Sequence, residues 1–131
     1  MGRDPRSAVE DPQGQSQQPA WQFVHMRFEG PYHFDNLDRD VYHEIIRKLR
    51  GFESMTWNEI ERAGSHNVEK YKLCSEARDD LVQNKLDDRD EYFSLRLSGK
   101  ERVWGIRAGR VLKLMWWDPE HEICPSYKKH T

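Results

Sequence analysis

The fold of this chain is decided by residues 92–125, YFSLRLSGKERVWGIRAGRVLKLMWWDPEHEICP. Apolar and polar residues alternate at its start, which is the period of a strand with one buried face. A two-residue turn at Ala108-Gly109 predicts a hairpin, and Asp118-Pro119 ends the last strand because proline has no backbone N–H to donate. The stretch therefore predicts a three-stranded antiparallel meander. Its predicted strands are 93–97, 101–107 and 110–117.

The register of this meander predicts which side chains share a face. With Ala108-Gly109 as the turn, Val103 lies opposite Leu114, and directly opposed residues point to the same side of a sheet. A three-residue loop before the second strand places Arg96 beside Arg102 on the other side. The predicted core face carries Phe93, Leu95, Leu97, Val103, Leu112, Leu114 and Trp116. The predicted outer face carries Arg96, Lys100, Arg102, Trp104, Ile106, Val111, Lys113, Met115 and Trp117.

The charge of the chain is distributed unevenly. Residues 94–117 hold six basic residues and one acid, a net charge of +5, which leaves −7 for the rest of a chain whose total is −2. A basic face on an acidic body concentrates an anionic ligand at one place. The small net charge argues against indiscriminate binding of nucleic acid, because such binding needs a broadly basic surface.

The remaining sequence predicts one domain that follows a tail. Residues 1–20 are rich in proline and glutamine and carry few apolar side chains, so they predict a disordered tail before a domain over residues 21–131. A strand is predicted from Trp21 to Phe28. Helices are predicted after Asp35, after Thr56 (where Glu59 completes a capping box) and after Ser75.

These elements predict an α+β fold. The expected architecture is a two-layer sandwich in which two or three helices cover one face of an antiparallel sheet that ends in the meander. The chain has only two cysteines, Cys74 and Cys124, which lie far apart in sequence and form no metal-binding or redox spacing. It has no apolar run long enough to cross a bilayer. We therefore expect a reduced, cytoplasmic, soluble protein with no cofactor and no membrane partner.

The order of elements, with a basic meander and a histidine just past its last strand, resembles the RelE/ParE superfamily of bacterial toxins. The resemblance covers residues 21–125 and rests on topology and a few residues. It implies an mRNA-cleaving enzyme that acts on the ribosome and is neutralised by an antitoxin protein. The arginine that the family carries on the middle meander strand fits Arg102, and its C-terminal basic residue fits His121. The acidic general base of some members has no counterpart here beyond Glu59.

Metal-independent RNA cleavage needs a base for the ribose 2′-hydroxyl, cations for the phosphorane and an acid for the leaving 5′-oxygen. Histidine suits either proton-transfer role because its ordinary pKa is near neutrality. The predicted catalytic residues are Arg102, His121 and the loop-borne His66. The predicted RNA-binding residues are Arg96, Lys100, Trp104, Lys113 and Trp117, with the tryptophans as stacking platforms for bases. Three potential ligands at 118–122 lack a recognised metal-binding spacing, so no metal site is predicted.

Two other functions fit the same pattern. A non-catalytic module would use the basic and aromatic face to hold nucleic acid or protein, with the charged strands as an ordinary solvated surface. A gyrase-inhibiting toxin of the same superfamily would lack ribonuclease activity. A catalytic histidine distinguishes the enzyme from both alternatives.

Overall fold

The computed structural model describes residues 14–125, in which three α-helices accompany a five-stranded sheet. The predicted α+β class is confirmed. A short 3₁₀ turn, Lys70–Lys72, follows the second strand. The strands are β1 (Ala20–Gln22), β2 (His66–Glu69), β3 (Glu91–Arg96), β4 (Arg102–Ala108) and β5 (Val111–Asp118), and the helices are α1 (Arg39–Phe52), α2 (Trp57–Arg62) and α3 (Ser75–Gln83).

The sheet has the strand order β1-β5-β4-β3-β2 and is mixed. Strands β2 to β5 pair antiparallel with their neighbours, whereas β1 runs parallel to β5. The expectation of an antiparallel sheet is therefore wrong at this edge. The predicted first strand is also shorter than expected, because the chain turns out of the sheet where the Met26 amide donates to the Phe23 carbonyl.

Apolar clusters lie on both faces of the sheet, so the expectation of helices on one face alone is wrong. On one face, Ile45 and Leu49 of α1 and Trp57 of α2 pack with the sheet residues Phe93, Leu95, Leu97, Val103, Leu112, Leu114 and Trp117. On the other, Ala77 and Leu81 of α3 pack with Tyr92, Trp104, Ile106, Met115 and Trp116. The capping box predicted at Thr56 and Glu59 is present at the start of α2.

The β4–β5 hairpin differs from the predicted register by two residues. Ala108 pairs with Val111 and Gly105 with Leu114, so the turn lies at Gly109-Arg110. A shift of two residues keeps every side chain on its face, which is why Val103, Leu112 and Leu114 lie together as predicted. The loop between β3 and β4 has the predicted three residues, because the Leu97 amide donates to the Glu101 carbonyl.

A β-bulge in β5 reverses the predicted faces of the last residues of that strand. Gly105 pairs with Leu114 but Trp104 pairs with Trp116, so Met115 is an extra residue on β5. Beyond the bulge, the faces exchange. Trp116 lies on the α3 side, and Trp117 packs against Phe34 on the α1 side with ring centroids 6.3 Å apart. The predicted faces of these two tryptophans are therefore wrong.

Glycine is required at the bulge because the backbone of β5 approaches β4 closely there. A Cβ on Gly105 would lie 2.3 Å from the Lys113 carbonyl oxygen. We expect Gly105→Ala to lower the free energy of unfolding by about 1–3 kcal/mol, the usual effect of overpacking a tightly packed site. Gly99→Ala is the matched control, since a Cβ there meets nothing within 4 Å. Chemical denaturation measures the free energy of unfolding of both variants. If the two are equally stable, β4 and β5 do not approach each other at Gly105 as closely as the bulge requires.

Residues 14–19 pack against the hairpin tip and α2. Gly14 and Pro19 are buried, and the side chain of Gln15 hydrogen-bonds to Arg107 and Glu61. Within the described residues the packed part of the chain thus begins at Gly14, inside the stretch predicted to be a tail. The rest of that predicted tail, residues 1–13, lies outside the described residues. None of the helices in residues 14–125 is long and apolar enough to span a membrane.

Candidate functional site

One end of the α3-side face forms a cleft that collects basic side chains. Strand pairing puts His66 opposite Ser94 and Ser94 opposite Trp104, and it puts Arg96 opposite Arg102 in the next row. Opposed residues in antiparallel strands have Cβ atoms about 5 Å apart and share a face. The resulting cleft has a volume of about 270 Å³. It is lined by Gly64, His66, Val68, Ser94, Arg96, Arg102, Trp104, His121, Cys124 and Pro125.

Arg96 is held at the mouth of the cleft by the segment between α2 and β2. Its backbone amide donates to the buried Ser65 hydroxyl at 2.8 Å, and its Nε donates to the Ser98 carbonyl at 3.2 Å. Gly64, with φ of +115°, provides the space, because a Cβ there would lie 3.0 Å from Nη1 of Arg96. The side chain of Arg96 is exposed, so its charge faces solvent beside the cleft.

Arg102 lies deeper and is anchored by the loop between β3 and β4. Its Nη1 donates to the carbonyls of Ser98, Gly99 and Glu101 at 3.0–3.3 Å, and the residue is 8% exposed. Burial and the neighbouring Arg96 lower its pKa from the ordinary arginine value, but a guanidinium remains charged at any physiological pH. Within residues 14–125, Nε and Nη2 of Arg102 have no hydrogen-bond partner.

His121 lies in the turn after β5, and the buried Asp118 organises that turn. The Asp118 carboxylate accepts hydrogen bonds from the amides of Glu122 and Ile123, at 2.8 and 3.1 Å, and from the Trp104 indole at 3.1 Å. His121 has φ of +58°, in the left-handed region that non-glycine residues seldom occupy. The turn therefore places the imidazole at the cleft, and the backbone of His121 adopts an energetically unfavourable conformation there.

In the absence of a ligand, the surroundings of His121 favour its neutral form. Burial lowers the pKa of His121 below its usual value of about 6.5, and the charge of Arg102 lowers it further. His66 and Arg96 act in the same direction, whereas Asp118 opposes them. Near pH 7 the imidazole of His121 is thus able to accept a proton. A bound anion would raise this pKa, because a negative charge stabilises the imidazolium.

The structure brings the three predicted catalytic residues together. Arg102, His66 and His121, which are separated by as many as 55 positions in the sequence, line a single cleft with the predicted binding residue Arg96. Sequence periodicity alone does not show that the turn after β5 folds back to His66. The Nδ1 atom of His66 lies 3.0 Å from the Asn67 carbonyl oxygen. The other ring nitrogen, Nε2, does not make this contact.

The two predicted stacking tryptophans do not serve that role. Trp104 is fully buried, and its indole N–H donates to Asp118. Trp117 is 6% exposed and packs on the opposite side of the sheet. The prediction that they are exposed platforms for bases is therefore wrong. Packing of α3 over the outer face buries Trp104, and the bulge turns Trp117 away.

The two predicted binding lysines lie outside the cleft. Lys100 forms an exposed ion pair with Glu120 at 2.8 Å, and Lys113 lies in β5 between Ile106 and Gln22 of the neighbouring strands. Glu59, the weak candidate for a general base, has its carboxylate in the capping box of α2. The cleft also contains Ser94 and Cys124, which the sequence did not indicate. Ser94 lies there because it pairs with His66, and Cys124 because the turn after β5 folds over the sheet.

No arrangement typical of a metal site occurs in the described part of the chain. Residues 14–125 hold no group of three or more histidine, cysteine, aspartate or glutamate side chains placed to bind one ion. The cleft is lined by two imidazoles and two guanidinium groups, together with the Ser94 hydroxyl and the Cys124 thiol.

Comparison with known proteins finds no match. Family models, curated proteins and solved structures were compared with the chain, and none matched it.

Arg96 and Lys113 provide a matched test of the cleft as a binding site for RNA. We expect Arg96→Ala to weaken binding of single-stranded RNA and to reduce the slope of log affinity against log salt by about 0.7, the contribution of one phosphate contact. Lys113→Ala removes a charge outside the cleft and should change neither quantity. Fluorescence anisotropy at several salt concentrations measures both variants, and equal effects would show that RNA does not bind in the cleft.

Proposed function

We propose that this protein is a metal-independent endoribonuclease whose active site is the cleft between β2, β3, β4 and the turn after β5. The observation that carries the proposal is the convergence of His66, His121, Arg96 and Arg102 on one cleft. Two imidazoles supply a general base and a general acid, and two guanidinium groups supply positive charge for a phosphorane. That is the complete set of groups that RNA cleavage by internal transesterification requires.

The proposed reaction assigns one role to each histidine. Neutral His121 accepts the proton of the ribose 2′-hydroxyl while that oxygen attacks the adjacent phosphorus. Protonated His66 donates a proton to the 5′-oxygen as the bond from phosphorus to that oxygen breaks. The products are a 2′,3′-cyclic phosphate and a free 5′-hydroxyl, and the two imidazoles have exchanged protonation states. Water is not consumed in this step, and no metal ion takes part.

The arginines act on the phosphate in this proposal. The buried Arg102, with Nη1 held by three loop carbonyls, presents its remaining N–H groups in a fixed position to the non-bridging oxygens. A donor that is already oriented needs no reorganisation as negative charge develops, which is the condition for effective electrostatic stabilisation. Arg96, which is more exposed, adds a contact to the phosphate from the mouth of the cleft.

The biological setting of the proposal comes from the resemblance to the RelE/ParE superfamily. We propose mRNA as the substrate, the translating ribosome as the place of cleavage and an antitoxin protein as the inhibitor. The volume of the cleft, about 270 Å³, suits a phosphate group and part of one nucleoside, so further nucleotides would lie across the surface at Arg96.

The cellular test is induction of the chain in a bacterial host. We expect the native chain to arrest growth and to shorten mRNA, and we expect Arg102→Ala and His121→Gln to do neither. The second variant is needed because Arg102 also stabilises the loop that follows β3. If His121→Gln arrests growth as strongly as the native chain, the proposed chemistry is wrong, and a non-catalytic binding module or a gyrase inhibitor takes its place.

A further inference from the structure

Cys74 and Cys124, 50 positions apart in sequence, are neighbours in the fold. The Cys74 amide donates to the Ile123 carbonyl at 2.7 Å. In a planar trans peptide, the Cα of the next residue lies close to that carbonyl oxygen, so the two cysteine Cα atoms are separated by about 7 Å at most. Disulfides connect Cα atoms that are roughly 4.4–6.8 Å apart. The backbone therefore places both cysteines near the range for a bond.

The two side chains also point into the same environment. Both cysteines are free, partly buried and packed against the apolar cluster on the α3 side of the sheet. Cys124 lines the cleft described above, three positions after His121. The Tyr32 hydroxyl lies 3.4 Å from the Cys74 sulfur. Both thiols thus pack against the same apolar cluster from backbone positions that are directly hydrogen-bonded to each other through Cys74 and Ile123.

We infer that Cys74 and Cys124 form a reversible disulfide site that joins the turn carrying His121 to the start of α3. The oxidant is a low-molecular-weight disulfide of the glutathione type. The Cys74 thiolate attacks one sulfur of that disulfide and releases one thiolate, which leaves a mixed disulfide on Cys74. The Cys124 thiol then loses its proton and attacks the Cys74 sulfur, releasing the second thiolate. Two protein thiols are oxidised and one disulfide is reduced to two thiols.

The assignment of Cys74 as the first nucleophile follows from its position. Cys74 is the N-cap residue of α3, and its sulfur lies beside the Tyr32 hydroxyl. The Tyr32 hydroxyl keeps its proton, since burial and the neighbouring Cys74 both raise its pKa, so it is available as a donor to the Cys74 sulfur during the attack. Burial raises the pKa of the Cys124 thiol, so Cys124 is the poorer first nucleophile and acts as the resolving residue.

The test uses the full chain in buffers of reduced or oxidised glutathione, followed by alkylation with N-ethylmaleimide and mass analysis. We expect the reduced chain to take up two labels, and the oxidised chain to take up none and to lose the mass of two hydrogens. Proteolytic fragments should show Cys74 joined to Cys124 within one molecule. The midpoint of thermal unfolding should rise by several degrees in the oxidised form, since the bond restricts the unfolded chain.

Single variants test the order of the steps. Cys124→Ser should accumulate glutathione on Cys74, because no second thiol resolves the mixed disulfide, whereas Cys74→Ser should react many times more slowly. Two labels on the oxidised chain, or cross-links only between molecules, would overturn the inference. Because mass is the readout, the result is independent of whether the cleft cleaves RNA.

Discussion

We expect His121→Gln to lower the rate of the proposed RNA cleavage by about 10²–10⁴-fold, the usual contribution of a general acid or base. The glutamine side chain is polar and of similar size, but it cannot exchange a proton near pH 7. RNA affinity changes little, because a neutral imidazole adds little to phosphate binding. The measurement is a single-turnover cleavage assay together with a binding titration of the same variant.

His121→Gly separates the chemistry of His121 from its backbone conformation. Glycine adopts the φ of +58° without cost, so this variant should fold at least as stably as the native chain and still be inactive. A variant that is both stable and inactive excludes misfolding as the cause. Full activity in both substitutions would remove His121 from the mechanism.

The pH dependence of kcat/KM reports the groups of the free enzyme. Because burial and Arg102 lower the pKa of His121, the neutral base is lost only as pH falls below about 6.5. The rate should therefore rise with pH through a midpoint below that value. The same limb should be missing in His121→Gln.

Asp80→Ala causes the largest expected loss of stability, about 3 kcal/mol, because it leaves the partly buried Arg27 guanidinium and the buried Trp116 indole without their acceptor. The Asp80 side chain is 5% exposed and accepts hydrogen bonds from Arg27 Nε and Nη2 at 3.1 Å each. It also accepts from the buried Trp116 indole at 2.8 Å. The substitution removes the acceptor for all of these donors at once. Chemical denaturation measures the change in the free energy of unfolding.

Glu44→Ala is the control for Asp80→Ala. Glu44 pairs with Arg47 at 2.6 Å on the exposed surface of α1, where solvent screens the attraction and the lost pair matters little. If the two variants are equally stable, the Arg27–Asp80 pair does not stabilise the fold.

The β3–β4 part of the fold was predictable because its signals are local. The alternation of residues 93–97 and the three-residue loop determine the register, and that register puts Arg96 opposite Arg102. The bulge at Met115 was not predictable in this way. It depends on the close approach of Gly105 to the neighbouring strand, which involves residues eight or more positions apart. Its consequence was the reversed faces of Trp116 and Trp117.

The candidate site was predictable in its residue types but not in its construction. RNA cleavage requires proton transfer and positive charge, which indicates histidine and arginine, and residues of both types line the cleft. The predicted stacking role of Trp104 was wrong because the sequence did not show that α3 covers that face. The hydrogen bond between Cys74 and Ile123 was not predictable either, because it depends on where the turn after β5 packs.

The most direct test of the proposed function is cleavage of RNA by the purified chain in the presence of EDTA, on free RNA and on translating ribosomes, with analysis of the product ends. The proposed chemistry predicts cleavage without divalent metal by the native chain, with 2′,3′-cyclic phosphate and 5′-hydroxyl ends. It predicts cleavage at least about 10²-fold slower by His66→Ala and by His121→Gln. Products with 5′-phosphate ends, or a failure of the native chain to cut either substrate, would contradict it.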